Sequence, residues 1–147
     1  MDNNNYFNNS EALSLMKVYP TLRRVVLEAF DAHPMKLTRT QQILLLALNK
    51  EEMLSMSEIA RRICTSNEQA TRAVAQLVDI SFVSRSQNAA NRRTINISLT
   101  DKAKSYINEI SANVFKKLDI AYGEIDDNQS EDLSKCLDFI ANLNGHY

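Results

Sequence analysis

Arg92 and Arg93 stand side by side between two β-rich runs, Phe82 to Gln87 and Thr94 to Thr100. Neither strand pairing nor turn geometry needs two adjacent cations there, whereas a narrow groove of negative potential attracts guanidinium groups. Upstream, the segment from Ser66 to Gln76 carries Asn67, Glu68, Gln69, Thr71, Arg72 and Gln76 among apolar residues at helical spacing. These types read base edges in a major groove: an amide pairs with adenine, a guanidinium with guanine, and a carboxylate accepts from a cytosine amine. Ser66 and Thr71 are grouped with the same expected surface. Glu68 equally suits the positive end of a helix with no ligand at all. Arg62 and Arg85 fit phosphate contacts better than base reading, and either also fits an intramolecular ion pair. The chemistry implied is recognition of a polyanion, with double-stranded DNA as the expected partner.

Presenting those side chains requires a helix and a hairpin. Ser55 with Glu58 forms a candidate capping box that opens a short helix through Ile59, Ala60 and Ile63, and Thr65-Ser66 breaks it. A second helix is expected from about Asn67 to Ile80, where Ala70, Ala73, Val74, Leu77 and Val78 make one core-facing stripe. That stripe leaves Glu68, Arg72, Ala75 and Asp79 on the far side, flanked by Gln69, Thr71 and Gln76. Two helices joined by a tight break form a helix-turn-helix, whose second helix fits a major groove. Next, Phe82 to Gln87 is β-like, and Thr94 to Thr100 sets Ile95, Ile97 and Leu99 against Asn96 and Ser98, the pattern of a half-buried strand. The link from Asn88 to Arg93 has no glycine and is too long for a two-residue turn. It predicts an extended, mobile wing.

The flanks read as helices. The asparagine-rich start through Asn9 predicts a mobile tail. Ser10-Glu11 opens a helix through Leu13 and Met16, with a kink or restart expected at Pro20. It continues through Leu22, Val25, Val26, Ala29 and Phe30 to a loop at His33-Pro34. Thr38 and Gln41 fit another capping box, ahead of a helix (Ile43, Leu44, Ala47, Leu48) apolar enough to predict central burial. Ala103, Ile107, Ile110, Val114, Leu118, Ala121 and Ile125 recur at nearly coiled-coil spacing. That seam asks for a partner helix, or for packing on the last helix, marked by Leu133, Cys136, Leu137, Ile140 and Leu143 after a candidate capping box of Asn128 with Glu131. The expected fold is mainly α with a small antiparallel β wing: a winged helix-turn-helix over 37–100, a helical dimerisation region from 10–36 and 101–147, and a tail over 1–9.

Composition narrows the class of function. Forty-four per cent hydrophobic residues can bury a core, and two glycines with two prolines in 147 residues favour long helices. Net charge is only −1, but it is uneven. Residues 1–54 carry six Lys/Arg against six Asp/Glu, residues 55–104 eight against four, and residues 105–147 three against eight. The +4 segment coincides with the helix-turn-helix and hairpin, as a polyanion footprint requires. There is no glycine-rich phosphate loop, nucleophile elbow or histidine–carboxylate–serine constellation, so the expectation is not an enzyme. Cys64, Cys136, His33 and His146 lack metal-ligand spacing, so no metal or other cofactor is expected, and both cysteines read as small buried apolar residues in a reducing compartment. No run is apolar enough to cross a bilayer, and a cytoplasmic, nucleoid-associated protein without membrane contact is expected. The competing reading is a winged-helix module for protein–protein contacts.

Taken in order, Leu37-Thr38-x-x-Gln41, Ser57-Glu58-Ile59-Ala60, Thr71-Arg72, Leu77, Val83-x-Arg85, Asn91-Arg92-Arg93 and Leu99-Thr100 share one register. From about Leu37 to Lys104 the chain resembles MarR-type winged-helix transcription regulators. The resemblance implies a repressor acting as a homodimer, with one helix of each protomer in successive major grooves of a pseudo-palindrome about 10 base pairs apart. The implied interface uses the first helix and the last two, with Ile107, Ile110, Val114, Leu137 and Ile140 as expected contacts. It also implies a small aromatic or phenolic effector held between the two regions, for which Tyr19, Phe30, His33 and Met35 could form a lining. Arg93 stands where the family has its minor-groove arginine, and Arg92 becomes a phosphate contact. Asn91 replaces the family's acid, while Ala103 and Ser81 replace glycines. Asn91 can accept a hydrogen bond from Arg93 but cannot form an ion pair, and Ser81 must take a positive φ or relax its turn.

Overall fold

The computed structural model describes residues 9–91, 93–122 and 126–142. The expectations for residues 1–8 of the 1–9 tail, Arg92, Ile125, Leu143 and His146 fall outside them, and Asn9, the last residue of that expected tail, instead opens the first helix. The described elements are α1 (Asn9–Ala32), α2 (Arg39–Lys50), β1 (Leu54–Ser55), α3 (Met56–Arg62), α4 (Asn67–Asp79), β2 (Val83–Gln87), β3 (Ile95–Leu99), α5 (Asp101–Tyr122) and α6 (Asp127–Ala141). The architecture is mainly helical with a small antiparallel sheet, as the hydrophobic patterning predicts.

Local side-chain chemistry sets the helix starts. Thr38 caps α2 and Ser55 caps α3, each in a full capping box with Gln41 or Glu58 at the third helical position. Ser66 caps α4 by accepting from the N–H of Gln69. The start of α6 corrects an expectation: Asp126 caps it in a box with Gln129, not Asn128 with Glu131. Two overlapping cap signals lie two residues apart there, and the earlier one is used. At Pro20 the restart, one of the two expected outcomes, does not occur, and α1 runs through it. Proline removes the N–H that would meet the Met16 carbonyl, and Met16 is well exposed, so water can replace that donor.

Two helix ends need positive φ without glycine. Cys64 (φ 51) and Ser81 (φ 60) both occupy the left-handed position after a helix. At Ser81, its own N–H bonds to the Val78 carbonyl and that of Phe82 to the Leu77 carbonyl, the paired bonds of a Schellman ending. Leu77 and Phe82 are both buried, which supplies the apolar contact that accompanies this motif. Cys64 and Thr65 make the equivalent bonds to Arg61 and Ala60. Both cysteines are exposed, correcting the reading of them as core residues. Cys64 serves the chain reversal, and α6 has no buried residue among those described.

The sheet runs β1-β3-β2, antiparallel throughout. β1, only two residues long, is too short for alternation to reveal. Its pairing of Ser55 with Asn96 covers the second edge of β3, and Asn96 is buried with its Nδ2 donating to Met53 Sδ. Ile95, near the wing, is exposed instead. Thr100 ties the hairpin to α5: its Oγ1 donates to the Ser81 carbonyl and accepts from the N–H of Ala103, in the first turn of that helix.

One core joins these pieces. Phe30, Leu44, Leu45, Leu48, Ile59, Val74, Leu77, Phe82 and Ile97 are fully buried, and Ala103, Tyr106, Ile107 and Ile110 of α5 belong to the same cluster. The apolar seam of α5 is thus covered over its first half by α1 and the winged helix of its own protomer, not by α6. In α2, burial is one-sided. Ile43 and Leu46 remain exposed, which limits the expected central burial to Leu44, Leu45 and Leu48. No described helix is long and apolar enough to cross a membrane.

Candidate nucleic-acid interface

The α4 stripe of Ala70, Ala73, Val74 and Leu77 is buried, which fixes the helix with its polar side outward. Asn67, Glu68, Gln69, Thr71, Arg72 and Gln76 are all exposed, as is the capping Ser66. Several already have intramolecular partners. Arg72 Nη2 lies 2.9 Å from Glu68 Oε1, an exposed pair one turn apart. Such a pair contributes roughly 0.3–0.5 kcal/mol, so it preorganises the guanidinium without locking it. Thr71 donates to the Asn67 carbonyl at 2.7 Å, and Thr65 donates to Gln69 Oε1. Gln76 Oε1 accepts from Gln41 Nε2 of α2 at 2.9 Å. Glu68 and Arg72 thus share the middle of the outward face, while Gln69, Thr71 and Gln76 sit at its margins.

The wing is built on asparagines. Asn88 Oδ1 accepts from the N–H groups of Ala90 (2.9 Å) and Asn91 (3.2 Å), and the ladder closes through Asn88 N–H to the Thr94 carbonyl. These bonds tie the tip into turns, more closely than the extended loop that its missing glycine suggests. Asn91 Oδ1 accepts from the backbone N–H of Arg93 at 3.1 Å. Asn91 thus accepts a hydrogen bond from Arg93, as its sequence allows, but from the backbone N–H, so the bond shapes the turn. Among the described residues, no ion pair or side-chain hydrogen bond engages the Arg93 guanidinium, which is exposed.

Of the two arginines assigned to phosphates, Arg62 pairs with Glu51 at 2.9 Å, both partners about one-third exposed. That pair takes up the alternative open to it from its sequence. Arg85 lies exposed on β2 opposite Ile97, with no ion-pair partner among the described residues.

The four residues expected to line an effector site do not assemble as one group. Phe30 is buried in the core, whereas Tyr19 is 61% exposed and eleven residues earlier on α1, roughly 16 Å along the helix. Phe30, His33 and Met35 do converge, on a residue sequence reasoning missed: Tyr106 of α5. Its ring lies 6.1 Å from Phe30, 5.1 Å from Phe82 and 4.5 Å edge-on from His33, and its hydroxyl donates to the Met35 carbonyl at 3.4 Å. Burial, with Glu109 nearby, pushes the Tyr106 phenol up to about 12, so it stays neutral and a donor. His33 bridges the cluster, with Nε2 3.0 Å from Glu109 and Nδ1 accepting from the Met35 N–H. Among the described residues, no group of three or more His, Cys, Asp or Glu could hold a metal ion.

The expected dimer contacts divide by burial. Ile107 and Ile110 are 7% and 3% exposed within the isolated protomer, and Val114 is packed at the edge of its core. Ile107 and Ile110 are core residues of their own protomer, which corrects the expectation that they cover a partner, while Val114 stays half-buried at the core edge. Leu137 and Ile140 are each 46% exposed, alongside Leu133 and Phe139 on α6 and Leu13, Leu15, Met16 and Leu22 on α1.

Comparison with known proteins fits this geometry. The model of the MarR family matches residues 37–95. The transcriptional regulator AdcR of Streptococcus pneumoniae serotype 2 (strain D39) is 33% identical over 97 residues, covering 60% of this chain and 66% of AdcR. The HTH-type transcriptional repressor MdtR of Bacillus subtilis (strain 168) is 29% identical over 100 residues, covering 68% of this chain and 63% of MdtR. The chain thus spans just under two thirds of the length of these curated relatives. A MarR family protein from Bacillus stearothermophilus has the same fold, with a TM-score of 0.69 at 19% identity over 91% of this chain and 95% of that one. Residues 37–95 thus match the MarR family, and the chain shares its fold with a solved MarR protein along most of its length.

Proposed function

We propose that this chain is a sequence-specific regulator of transcription that binds double-stranded DNA as a homodimer and acts as a repressor. The observation carrying this reading is α4, whose buried stripe turns Glu68 and Arg72 outward beside a wing whose Arg93 guanidinium is unengaged among the described residues. Helix and wing offer donors of the kinds that suit a major groove and the neighbouring minor groove. Repression is inferred from the name of the relative MdtR. Dimerisation is inferred from the exposed apolar residues of α1 and α6, which a second copy of the same faces would bury, placing two α4 helices about 34–36 Å apart on a pseudo-palindrome. A small aromatic or phenolic effector would act at the joint of α1, α2 and α5, where Tyr106 gathers Phe30, His33 and Met35.

Selection from randomised duplexes followed by anisotropy titration across salt concentrations tests the reading. A dimer neutralising several phosphates loses affinity steeply between 50 and 200 mM salt, by roughly 10³-fold for six or more contacts. Exposed Ile43 and Leu46 on α2 favour the second reading, a protein-interaction module. A weak and salt-insensitive response would select that reading instead.

A further inference from the structure

Gln41 joins two places that are distant in sequence. Its Oε1 accepts from the backbone N–H of Thr38 at 2.8 Å, completing the α2 capping box, and its Nε2 donates to Gln76 Oε1 on α4 at 2.9 Å. The residue is only 8% exposed, so water competes little for either bond. The polarity of this chain of bonds is forced, because a backbone N–H can only donate. Gln41 must therefore turn its oxygen to Thr38 and its amino group to α4. Gln76 must answer with its oxygen, and its own amino group is left for whatever approaches the exposed margin of α4.

We propose that Gln41 is a positioning residue that sets the polarity with which Gln76 meets a base. The inference rests on the proposed DNA-reading role of α4. Held this way, Gln76 offers a donor. Aimed at the exocyclic group of a base, that donor selects a keto oxygen, guanine O6 or thymine O4, over the amino groups adenine N6 and cytosine N4, which also donate; N7 accepts alike on either purine and carries no discrimination. The second lone pair of Gln76 Oε1 stays on the branch turned toward Gln41. A free glutamine would instead turn either end of its amide to the groove and discriminate poorly between the two classes.

Gln41→Glu reverses the chain of bonds. Glutamate is equally suited to the third position of a capping box, so the carboxylate still accepts from Thr38. It has no donor for Gln76, whose amide must then rotate, bringing Oε1 to face the groove. Selection from randomised duplexes is carried out with the wild type, Gln41→Glu, Gln41→Met and Gln76→Ala, each checked by thermal melting. In the wild type one position favours a keto base by about fivefold, the effect of one net hydrogen bond. Gln76→Ala erases that preference, Gln41→Met flattens it, and Gln41→Glu exchanges it for an amino base.

A folded Gln41→Glu protein that selects the wild-type base overturns the proposal, as does a Gln76→Ala protein whose preferences are unchanged. Should Gln41→Glu fail to melt cooperatively, Gln41→Met decides, and retention of the keto preference there overturns the inference. If the wild type enriches no duplex, the DNA-binding role itself falls and this inference with it. Enrichment by the wild type, with the preference lost in Gln76→Ala but unchanged in both Gln41 variants, removes only the role of Gln41.

Discussion

Arg72 and Arg93 differ in how they are held, and that sets what each would lose. The Arg72 guanidinium rests against Glu68 in an exposed pair that is easily broken. Arg72→Ala should cost about 1–3 kcal/mol of affinity and relax base preference at one position, read by competition binding with single-base operator variants. The Arg93 guanidinium is unengaged among the described residues, and Asn91 commits its oxygen to the backbone. Arg93→Ala should cost about as much on AT-rich flanks while leaving the positions read by α4 unchanged, and equal affinity for both proteins would remove the wing from the interface. The residue types were legible from sequence because donor patterns are intrinsic to a side chain. The use of Asn91 was not, since an amide serves a turn or a neighbour equally well.

At the level of elements, helix ends carry the two sharpest expectations. Ser81 holds φ 60 at the end of α4 with a Cβ in place, a conformation that costs roughly 1–2 kcal/mol in L-residues other than glycine. Ser81→Gly should raise stability by about 1 kcal/mol, seen as a higher urea midpoint at unchanged slope. Glu58 gives a pH dependence. Hydrogen bonds from the Ser55 hydroxyl and N–H hold its carboxyl below the ordinary value of 4.5. A depressed folded pKa stabilises above the unfolded value, and that contribution disappears as pH falls through the folded one. Glu58→Gln should therefore lower the melting temperature at pH 7, with the difference from wild type shrinking as the pH drops below 4.5. Capping boxes at Thr38 and Ser55 were readable because they involve four consecutive residues. At α6 the same local rule offered two starts, and nothing in four residues ranks Asp126 above Asn128.

For the whole molecule, burial separates residues that look alike on a helical projection. Ile110 lies in the protomer core, and Leu137 is exposed on α6. Ile110→Ala should lower the unfolding free energy by about 2–4 kcal/mol, as deletion of buried methyl groups does, with no change in oligomeric state. Leu137→Asp should convert dimers to monomers in sedimentation velocity and leave far-ultraviolet circular dichroism unchanged. Dimers that survive it would place the interface elsewhere. Tyr106 belongs to this scale as well. Its partners Phe30, His33, Met35 and Phe82 come from other parts of the chain, and no spacing rule links them.

By itself the sequence determined the helices, the hairpin and the outward face of α4. Period, caps and side-chain type act over a few residues and do not depend on what lies across the core. Only the tertiary structure decided which surface covers each apolar stripe: α5 turned its seam inward, and α6 kept its own exposed. It alone brought β1 to the edge of β3, gathered the Tyr106 cluster and set Gln41 against Gln76. An apolar stripe requires cover and an amide requires partners, but either can be satisfied in several ways, and the choice is made by contacts between residues far apart in the chain.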